Sequence, residues 1–137
     1  MARVLVDTGP LVALAVPRDP NHFACRHQLG QLPSPLLTCW PVITEAAWLL
    51  RTHERSLSAL LTNCASGFLE ILELGTADII AIRDLMLQYR DIRPQLADAA
   101  LVQLARRERI NTIFTIDRRD FTIYRDHRDQ PFTLIPV

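Results

Sequence analysis

Two short apolar runs that each end in an aspartate constrain the fold of this chain more than any other feature. Val4–Val6 precedes Asp7, and residues 112–116 precede Asp117. Continuous apolar and β-branched runs are typical of strands that are covered on both faces, as in parallel sheets. The pattern predicts both aspartates at the carboxyl ends of buried strands, the edge where open α/β sheets bind ligands. Asp is also a favoured helix-capping residue, so a purely structural role for Asp7 stays open.

The rest of the chain alternates between strand patterns and helix patterns. Strands are predicted at residues 4–6, 36–39, 68–74, 112–116 and 132–137. Helices are predicted at residues 11–16, 19–31, 42–52, 77–90 and 96–108, with a further helical segment around residues 57–61. Glu45 is predicted in a first helical turn, and Thr76 is predicted to cap the helix that it precedes. The alternation predicts a three-layer α/β/α fold with a central parallel sheet of four to five strands and helices on both faces.

The length of the chain fits one domain. Its 137 residues contain no linker or internal repeat, so a single domain spanning residues 1–137 is expected. No segment approaches the roughly 20 apolar residues that cross a bilayer, and no signal-type apolar run opens the chain. The three cysteines lie far apart in sequence, which fits a reducing compartment. We therefore expect a cytoplasmic protein without a membrane partner.

The cationic side chains are all arginines. Fifteen arginines balance fifteen acidic residues, and lysine is absent. The absence of lysine excludes a phosphate-binding P-loop and Schiff-base catalysis. Guanidinium groups suit phosphate recognition, although a GC-rich genome produces the same composition. The four histidines lack the spacing of zinc ligands, so a zinc site is not expected.

Four acidic residues are predicted to meet at one edge of the sheet. Asp7 and Asp117 end strands, whereas Glu45 and Asp98 lie near the amino ends of helices. These ends share one edge in a doubly wound fold. Two carboxylates about 5 Å apart repel by about 3 kcal/mol at an effective dielectric constant of about 20, so protons or a divalent cation must compensate the cluster. An all-oxygen ligand set favours Mg²⁺ or Mn²⁺, and a carboxylate-held Mg²⁺ typically supports displacement at phosphorus.

Two further features concern binding partners. Arg118 and Arg119 follow Asp117 and are candidates for contacting a nucleic-acid backbone, although a solvated surface pair also explains them. The segment 46–50 is apolar on every side, which indicates burial on more than one face. Segment 46–50 is buried either in the core alone or partly in the core and partly in a surface through which the protein associates with itself.

At its acidic residues the chain resembles the PIN-domain ribonucleases, and most closely the VapC-type toxins of bacterial toxin–antitoxin pairs. The similar segments are the strand that leads into Asp7 and Thr8, the helix that carries Glu45, and residues 96–99 and 115–121. Together they extend over nearly the whole chain. Each motif is short, and their order and spacing identify the family.

The resemblance implies an Mg²⁺- or Mn²⁺-dependent endoribonuclease that cleaves RNA, forms a homodimer and is inhibited by a cognate antitoxin. It implies metal-binding and catalytic roles for four residues, Asp7, Glu45, Asp98 and Asp117. Thr8 and Thr115 are implied as polar support. Asp120 and Asp91 lie in matching segments and are interpreted as supporting or structural. The zero net charge does not by itself indicate strong non-specific RNA binding.

Three other functions compete with a nuclease. The Asp-Thr-Gly triplet at residues 7–9 also occurs in retroviral-type aspartic proteases, but those are all-β, whereas the segments after Glu45 and Thr76 are helical. A phosphate-accepting receiver domain requires a lysine, which this chain lacks. The alternative that stays open is a PIN-fold binding or regulatory protein without nuclease activity.

Overall fold

A computed structural model describes residues 3–137, so the first two residues of the predicted domain 1–137 lie outside the described part. Within these residues there are five strands: β1 (Val4–Val6), β2 (Leu36–Thr38), β3 (Leu69–Ile71), β4 (Thr112–Phe114) and β5 (Thr133–Ile135). The helices are α1 (Thr8–Ala15), α2 (His22–Leu29), α3 (Trp40–Leu49), α4 (Glu54–Ser66), α5 (Thr76–Gln88), α6 (Leu96–Glu108) and α7 (Arg118–Phe121). A single 3₁₀ turn, Arg90–Ile92, joins α5 to α6. None of the described helices is long and apolar enough to span a bilayer.

The five strands form one parallel sheet in the order β3-β2-β1-β4-β5. The central strand is β1, where Leu5 lies opposite Leu37 on one side and Ile113 on the other. Successive residues of a strand point to opposite faces of a sheet. Because Val4–Val6 is buried throughout, helices cover both faces. The predicted three-layer α/β/α fold is therefore confirmed, with five strands.

Each strand is three residues long. Four of the five strands are therefore shorter than the sequence patterns predicted. A backbone hydrogen bond from the next residue continues the pairing beyond β1, β3 and β4. Beyond β3, Leu72 N–H donates to the Thr38 carbonyl (2.9 Å), and beyond β4, Thr115 N–H donates to the Ile135 carbonyl (2.9 Å). An apolar run alone does not distinguish a strand residue from a buried residue of the turn that follows, which explains the difference.

Two helices begin earlier than predicted, and proline explains both. α1 begins at Thr8 and contains Pro10, whereas α3 begins at Trp40 and has Pro41 in its first turn. The N–H that a proline lacks is one that the first helical turn leaves unpaired, so proline does not delay a helix start. Glu45 consequently lies in the second turn of α3, and the prediction of a first-turn position is wrong.

The cap of α5 also differs from the prediction. Gly75 occupies the cap position, and Thr76 is the first helical residue. The Asp78 carboxylate accepts a hydrogen bond from the N–H of this cap residue, Gly75 (2.8 Å). It also accepts hydrogen bonds from the side chains of Gln103 (3.1 Å) and Arg107 (2.8 Å). Burial opposes ionisation of Asp78, but these hydrogen bonds and the Arg107 charge lower its pKa overall. Asp78 is thus a buried acid whose charge is compensated.

The apolar segment 46–50 lies at the end of α3 and meets two environments. Ala46 and Leu50 are completely buried in the core, whereas the side chains of Trp48 and Leu49 are 64% and 49% exposed. Burial within the core alone, one of the two alternatives for this segment, is therefore wrong. The exposed pair is available to a binding partner.

Candidate metal centre

Asp7 follows β1 directly and is buried at the carboxyl edge of the sheet. Its backbone N–H donates to the Phe114 carbonyl (2.9 Å), which continues the pairing of β1 with β4. Its carboxylate Oδ2 accepts a hydrogen bond from Thr115 Oγ1 (2.9 Å), while Oδ1 is buried and has no hydrogen-bond partner among residues 3–137. Asp7 stands at the cap position of α1 without a side-chain capping hydrogen bond. Helix capping therefore does not account for this buried acid.

Asp98 is the third residue of α6 and lies buried among alanines. Burial and nearby charges together raise the pKa of Asp98 to about 8, and burial is the largest cause. The charges belong to four carboxylates, in decreasing order of effect Asp7, Asp117, Glu45 and Asp120. Burial likewise raises the pKa of Asp7, to about 6 overall; hydrogen bonding, including that from Thr115, lowers it, and the charges of Glu45 and Asp117 make smaller contributions that raise it. The two buried acids are thus coupled to the other acids of one group.

The short helix α7 brings two of these acids to Asp98. Asp117 is its N-terminal cap residue, and Asp120 follows at a spacing of three, which places both on one side of the turn. One carboxylate oxygen from each of Asp98, Asp117 and Asp120 lies within 4.8 Å of the other two. The structure therefore adds Asp120 to the acids that the sequence brought together. Its spacing from Asp117 on a helical turn is the signal that could have identified it.

Glu45 approaches the same group from α3 and is half-buried. Its negative charge raises the pKa values of both Asp7 and Asp98. Its carboxylate accepts a hydrogen bond from the side-chain amide of Gln95, the residue that precedes α6. Sequence reasoning missed Gln95, because an isolated glutamine in a loop belongs to no recognisable motif.

The two threonines that were predicted as polar support have different roles. Thr115 Oγ1 donates to Asp7 Oδ2, so it orients a carboxylate of the group. Thr8 Oγ1 donates instead to the Val42 carbonyl (3.4 Å) and links α1 to α3. The Thr8 hydroxyl therefore contributes to helix packing.

The other predicted residues lie around the group. Arg118 and Arg119 are both exposed, and Arg118 Nη1 donates to the carbonyl of Pro136 (2.6 Å), near the C-terminal end of β5. Asp91 is exposed on the 3₁₀ turn before α6. Asp91 is not one of the principal charges that shift the pKa of Asp7 or Asp98.

We refer to five carboxylates together as the acidic centre: Asp7, Glu45, Asp98, Asp117 and Asp120. The ion pairs found within residues 3–137 all involve other acids, namely Asp78, Asp84, Glu108 and Asp126. The acidic centre thus has no ion-pair partner in this range, and the raised pKa values mean that protons partly compensate its charge. A divalent cation can replace those protons, and Asp7 Oδ1 offers it an unused ligand atom. The oxygen-only donor set fits Mg²⁺ or Mn²⁺.

The PIN domain family model matches residues 4–126, which include every member of the acidic centre. The chain belongs to the PIN domain family. Ribonuclease VapC26 of Mycobacterium tuberculosis is 33% identical to this PIN domain over 136 residues, which cover 97% of this chain and 100% of that relative.

Solved structures of toxins and of toxin–antitoxin complexes share the fold of this PIN domain. VapC20 of Mycobacterium tuberculosis, a toxin described as cleaving the sarcin-ricin loop, has a TM-score of 0.79 at 17% identity and covers 85% of this chain and 91% of its own. The DNA-bound VapBC complex of Salmonella typhimurium has a TM-score of 0.68 at 17% identity, with coverage of 98% and 97%. A toxin–antitoxin complex of Klebsiella pneumoniae has a TM-score of 0.67 at 19% identity, with coverage of 86% and 89%.

Proposed function

We propose that this PIN domain is an Mg²⁺- or Mn²⁺-dependent endoribonuclease and the toxin of a toxin–antitoxin pair. The observation that carries the proposal is the acidic centre, in which a buried carboxylate oxygen of Asp7 is unpartnered within residues 3–137. Family membership and the likeness to a relative named as a ribonuclease support RNA as the substrate. That residues 1–137 form a single domain and that the protein is cytoplasmic both remain predictions from the sequence.

The acidic centre supplies the residues that would hold the ion. We assign Asp7 and Asp98 as the principal ligands, with Glu45 and Asp117 binding directly or through water. Asp120 is a further neighbour, because its carboxylate lies close to those of Asp98 and Asp117. When bound, the ion would acidify a water molecule and stabilise negative charge on the scissile phosphate.

Hydrogen bonds prepare two of these carboxylates for binding. Thr115 fixes one oxygen of Asp7 and leaves the other free, and the Gln95 amide holds Glu45. Side chains that orient metal ligands in this way improve metal affinity and activity. We therefore assign Thr115 and Gln95 as positioning residues for these two ligands.

The two arginines of α7 are the candidates for contacting the RNA backbone. Arg119 is exposed next to Asp120, so its guanidinium can reach a phosphate beside the acidic centre. The Arg118 guanidinium already donates to the Pro136 carbonyl and has fewer donors to offer. We therefore assign Arg119 the larger share of the phosphate contact.

Asp7→Asn is expected to abolish metal binding and RNA cleavage together. The substitution removes a ligand charge and keeps the side-chain shape, and it relieves the cost of burying a carboxylate, so the metal-free fold should be as stable as the parent or more stable. Calorimetric titration with Mn²⁺, an RNA cleavage assay and thermal unfolding in EDTA measure these three effects. Asp91→Asn, at an exposed acid outside the acidic centre, is the matched control and should change none of them. Cleavage by Asp7→Asn at the parental rate would show that the metal assignment is wrong.

An antitoxin is the protein partner that we propose. Its support is the likeness to solved toxin–antitoxin complexes, together with an apolar groove of about 370 Å³ on the surface of this chain. The groove lies between α1, α2 and α4 and is lined chiefly by apolar side chains that include Leu11, Leu14, Leu29, Leu60 and Phe68. A partner segment with apolar side chains would bury this surface.

A homodimer is the assembly that we propose, and light scattering at micromolar concentration is expected to give twice the mass of one chain. The support is a second apolar groove, of about 580 Å³, along α5 and the start of α6. Its rim exposes Ile79, Leu87 and Leu96, each more than half exposed. Ile79→Glu should shift the mass toward that of a monomer, because it places a charge in an apolar interface. A monomeric mass for the parent chain would show that the proposed homodimer is wrong.

The alternative is a PIN-fold binding or regulatory protein without nuclease activity. The exposed apolar surface of α3, including Trp48 and Leu49, is the observation that favours it, since that surface suits a protein partner. This alternative predicts no metal-dependent cleavage of any RNA. It also predicts that replacing acids of the centre leaves partner binding unchanged.

A further inference from the structure

The hydroxyl of Tyr124 is completely buried and has no hydrogen-bond partner among residues 3–137. Asp7 Oδ1 is the other buried side-chain atom of this kind in that range. Buried polar side-chain atoms in native proteins almost always have a partner, because an unpaired one carries a free-energy penalty. Since Asp7 belongs to the acidic centre, the position of Tyr124 relative to that centre decides what its hydroxyl can bind.

Tyr124 is placed beside the acidic centre by the turn that follows α7. Its backbone N–H donates to the carbonyl of Asp120 (3.3 Å). Its ring packs edge-on against Phe121, with centroids 5.6 Å apart, and against Tyr89, with centroids 5.0 Å apart. These contacts fix the ring, so the hydroxyl has little freedom to seek a partner elsewhere.

The two largest charge effects on the Tyr124 hydroxyl come from the acidic centre. Burial raises the pKa of Tyr124 well above its usual range, and the largest charge contribution is that of Asp98, followed by Asp120. In the described chain, the hydroxyl therefore lies within electrostatic range of three carboxylates of the centre, Asp98, Asp117 and Asp120. A carboxylate accepts hydrogen bonds, and the phenol hydroxyl has one to donate.

Tyr89 provides an internal comparison. The rings of Tyr89 and Tyr124 are in contact, but the Tyr89 hydroxyl accepts a hydrogen bond from Arg106 Nη2 (3.3 Å). The two tyrosines therefore share one aromatic cluster, but within residues 3–137 only the Tyr89 hydroxyl has a hydrogen-bond partner.

We propose that Tyr124 is a positioning residue of the metal centre, whose hydroxyl donates to the Asp98 carboxylate, directly or through one water molecule, when a metal ion is bound. The inference rests on the proposed nuclease function and goes beyond it, because it concerns a residue outside the acidic centre. A donor behind a metal-binding carboxylate fixes the orientation of that ligand. It also gives the buried hydroxyl the partner that it otherwise lacks.

Tyr124→Phe tests the proposal, because it removes the hydroxyl and keeps the ring. In EDTA the melting temperature should be unchanged or higher, since an unpaired buried hydroxyl is lost. The dissociation constant for Mn²⁺, measured by calorimetry, should rise by roughly tenfold, the lower end of the range for partners of metal ligands. Tyr89→Phe is the matched control: it removes a hydroxyl from the same aromatic cluster and should leave the Mn²⁺ affinity at the parental value.

Three results would overturn the proposal. Parental Mn²⁺ affinity in Tyr124→Phe would overturn the role of Tyr124 and leave the nuclease function intact. An equal loss of affinity in Tyr124→Phe and Tyr89→Phe would also overturn it, because aromatic packing would then be responsible. A parent chain that binds no Mn²⁺ would overturn the proposed function, and the role of Tyr124 with it.

Discussion

Asp98→Asn is expected to reduce metal-dependent RNA cleavage by about 1,000-fold, since a catalytic metal supplies several kcal/mol of transition-state stabilisation and each 1.4 kcal/mol changes a rate tenfold. Asparagine keeps the size of the side chain and removes the charge that binds the ion. The measurement is cleavage of a mixed pool of structured RNAs in Mg²⁺, Mn²⁺ or EDTA, with parent and variant purified identically.

The variant also controls for contamination in that experiment. A contaminating ribonuclease would survive the substitution, so cutting that is equal in both preparations would contradict the assignment of Asp98. Cutting that requires the metal and disappears in Asp98→Asn would establish both the activity and the residue. An absence of cutting in both preparations, across the RNA pool, would favour the binding-only alternative.

The metal-free protein is expected to lose stability as the pH rises from about 5 to about 8.5, by an amount on the order of a few kcal/mol. The cause is the raised pKa of Asp98, about 8, and of Asp7, about 6. A carboxyl group whose pKa is higher in the folded state than in the unfolded state binds its proton more tightly when folded. That contribution is complete below the unfolded pKa of about 4 and disappears as the pH rises through the folded value.

The carboxyl groups whose pKa values are lowered change the stability only outside this pH range. The pKa values of Asp78, Asp126 and Glu108 lie below their ordinary values, so their contributions are lost only in more acidic solution. Thermal unfolding in EDTA at several pH values measures the effect, and adding Mn²⁺ at the alkaline end should restore stability because the ion replaces the protons. In Asp98→Asn the slope should be much smaller. If the melting temperature in EDTA stays level or rises with pH, the acids of the centre are not buried without a compensating charge, and the prediction is wrong.

The sequence predicts the fold well because the fold depends on patterns that are local in the chain. Apolar runs mark the strands, and Asp7 directly follows β1 as predicted. The pattern also predicts Asp117 directly after its strand, but β4 ends at Phe114, and two residues separate it from Asp117, which caps α7. Asp98 is likewise predicted, since it lies in the first turn of a helix whose bounds the pattern of residues 96–108 gives correctly. Element ends are predicted less well, as the early start of α3 shows for Glu45.

The contacts that complete the acidic centre cannot be read from local patterns. Gln95 meets Glu45 across 50 residues of sequence, and neither residue type indicates the other. Within residues 3–137 the Tyr124 hydroxyl has no hydrogen-bond partner, and this depends on how α7 and the turn after it pack against Tyr89. Such contacts arise from the arrangement of separate elements, so only the folded chain reveals them.

The central position of β1 has a consequence for when activity can arise during synthesis. This strand is made first, but its partner β4 begins at Thr112, and the hydrogen bond from Thr115 to Asp7 joins residues 108 positions apart. At roughly 5–20 residues per second, several seconds separate the translation of these two residues. A nascent chain that ends before Thr115 lacks the threonine that orients Asp7 and both acids that α7 brings to the acidic centre, Asp117 and Asp120. If the acidic centre cuts RNA, that activity therefore cannot arise until the chain has been extended past Asp120.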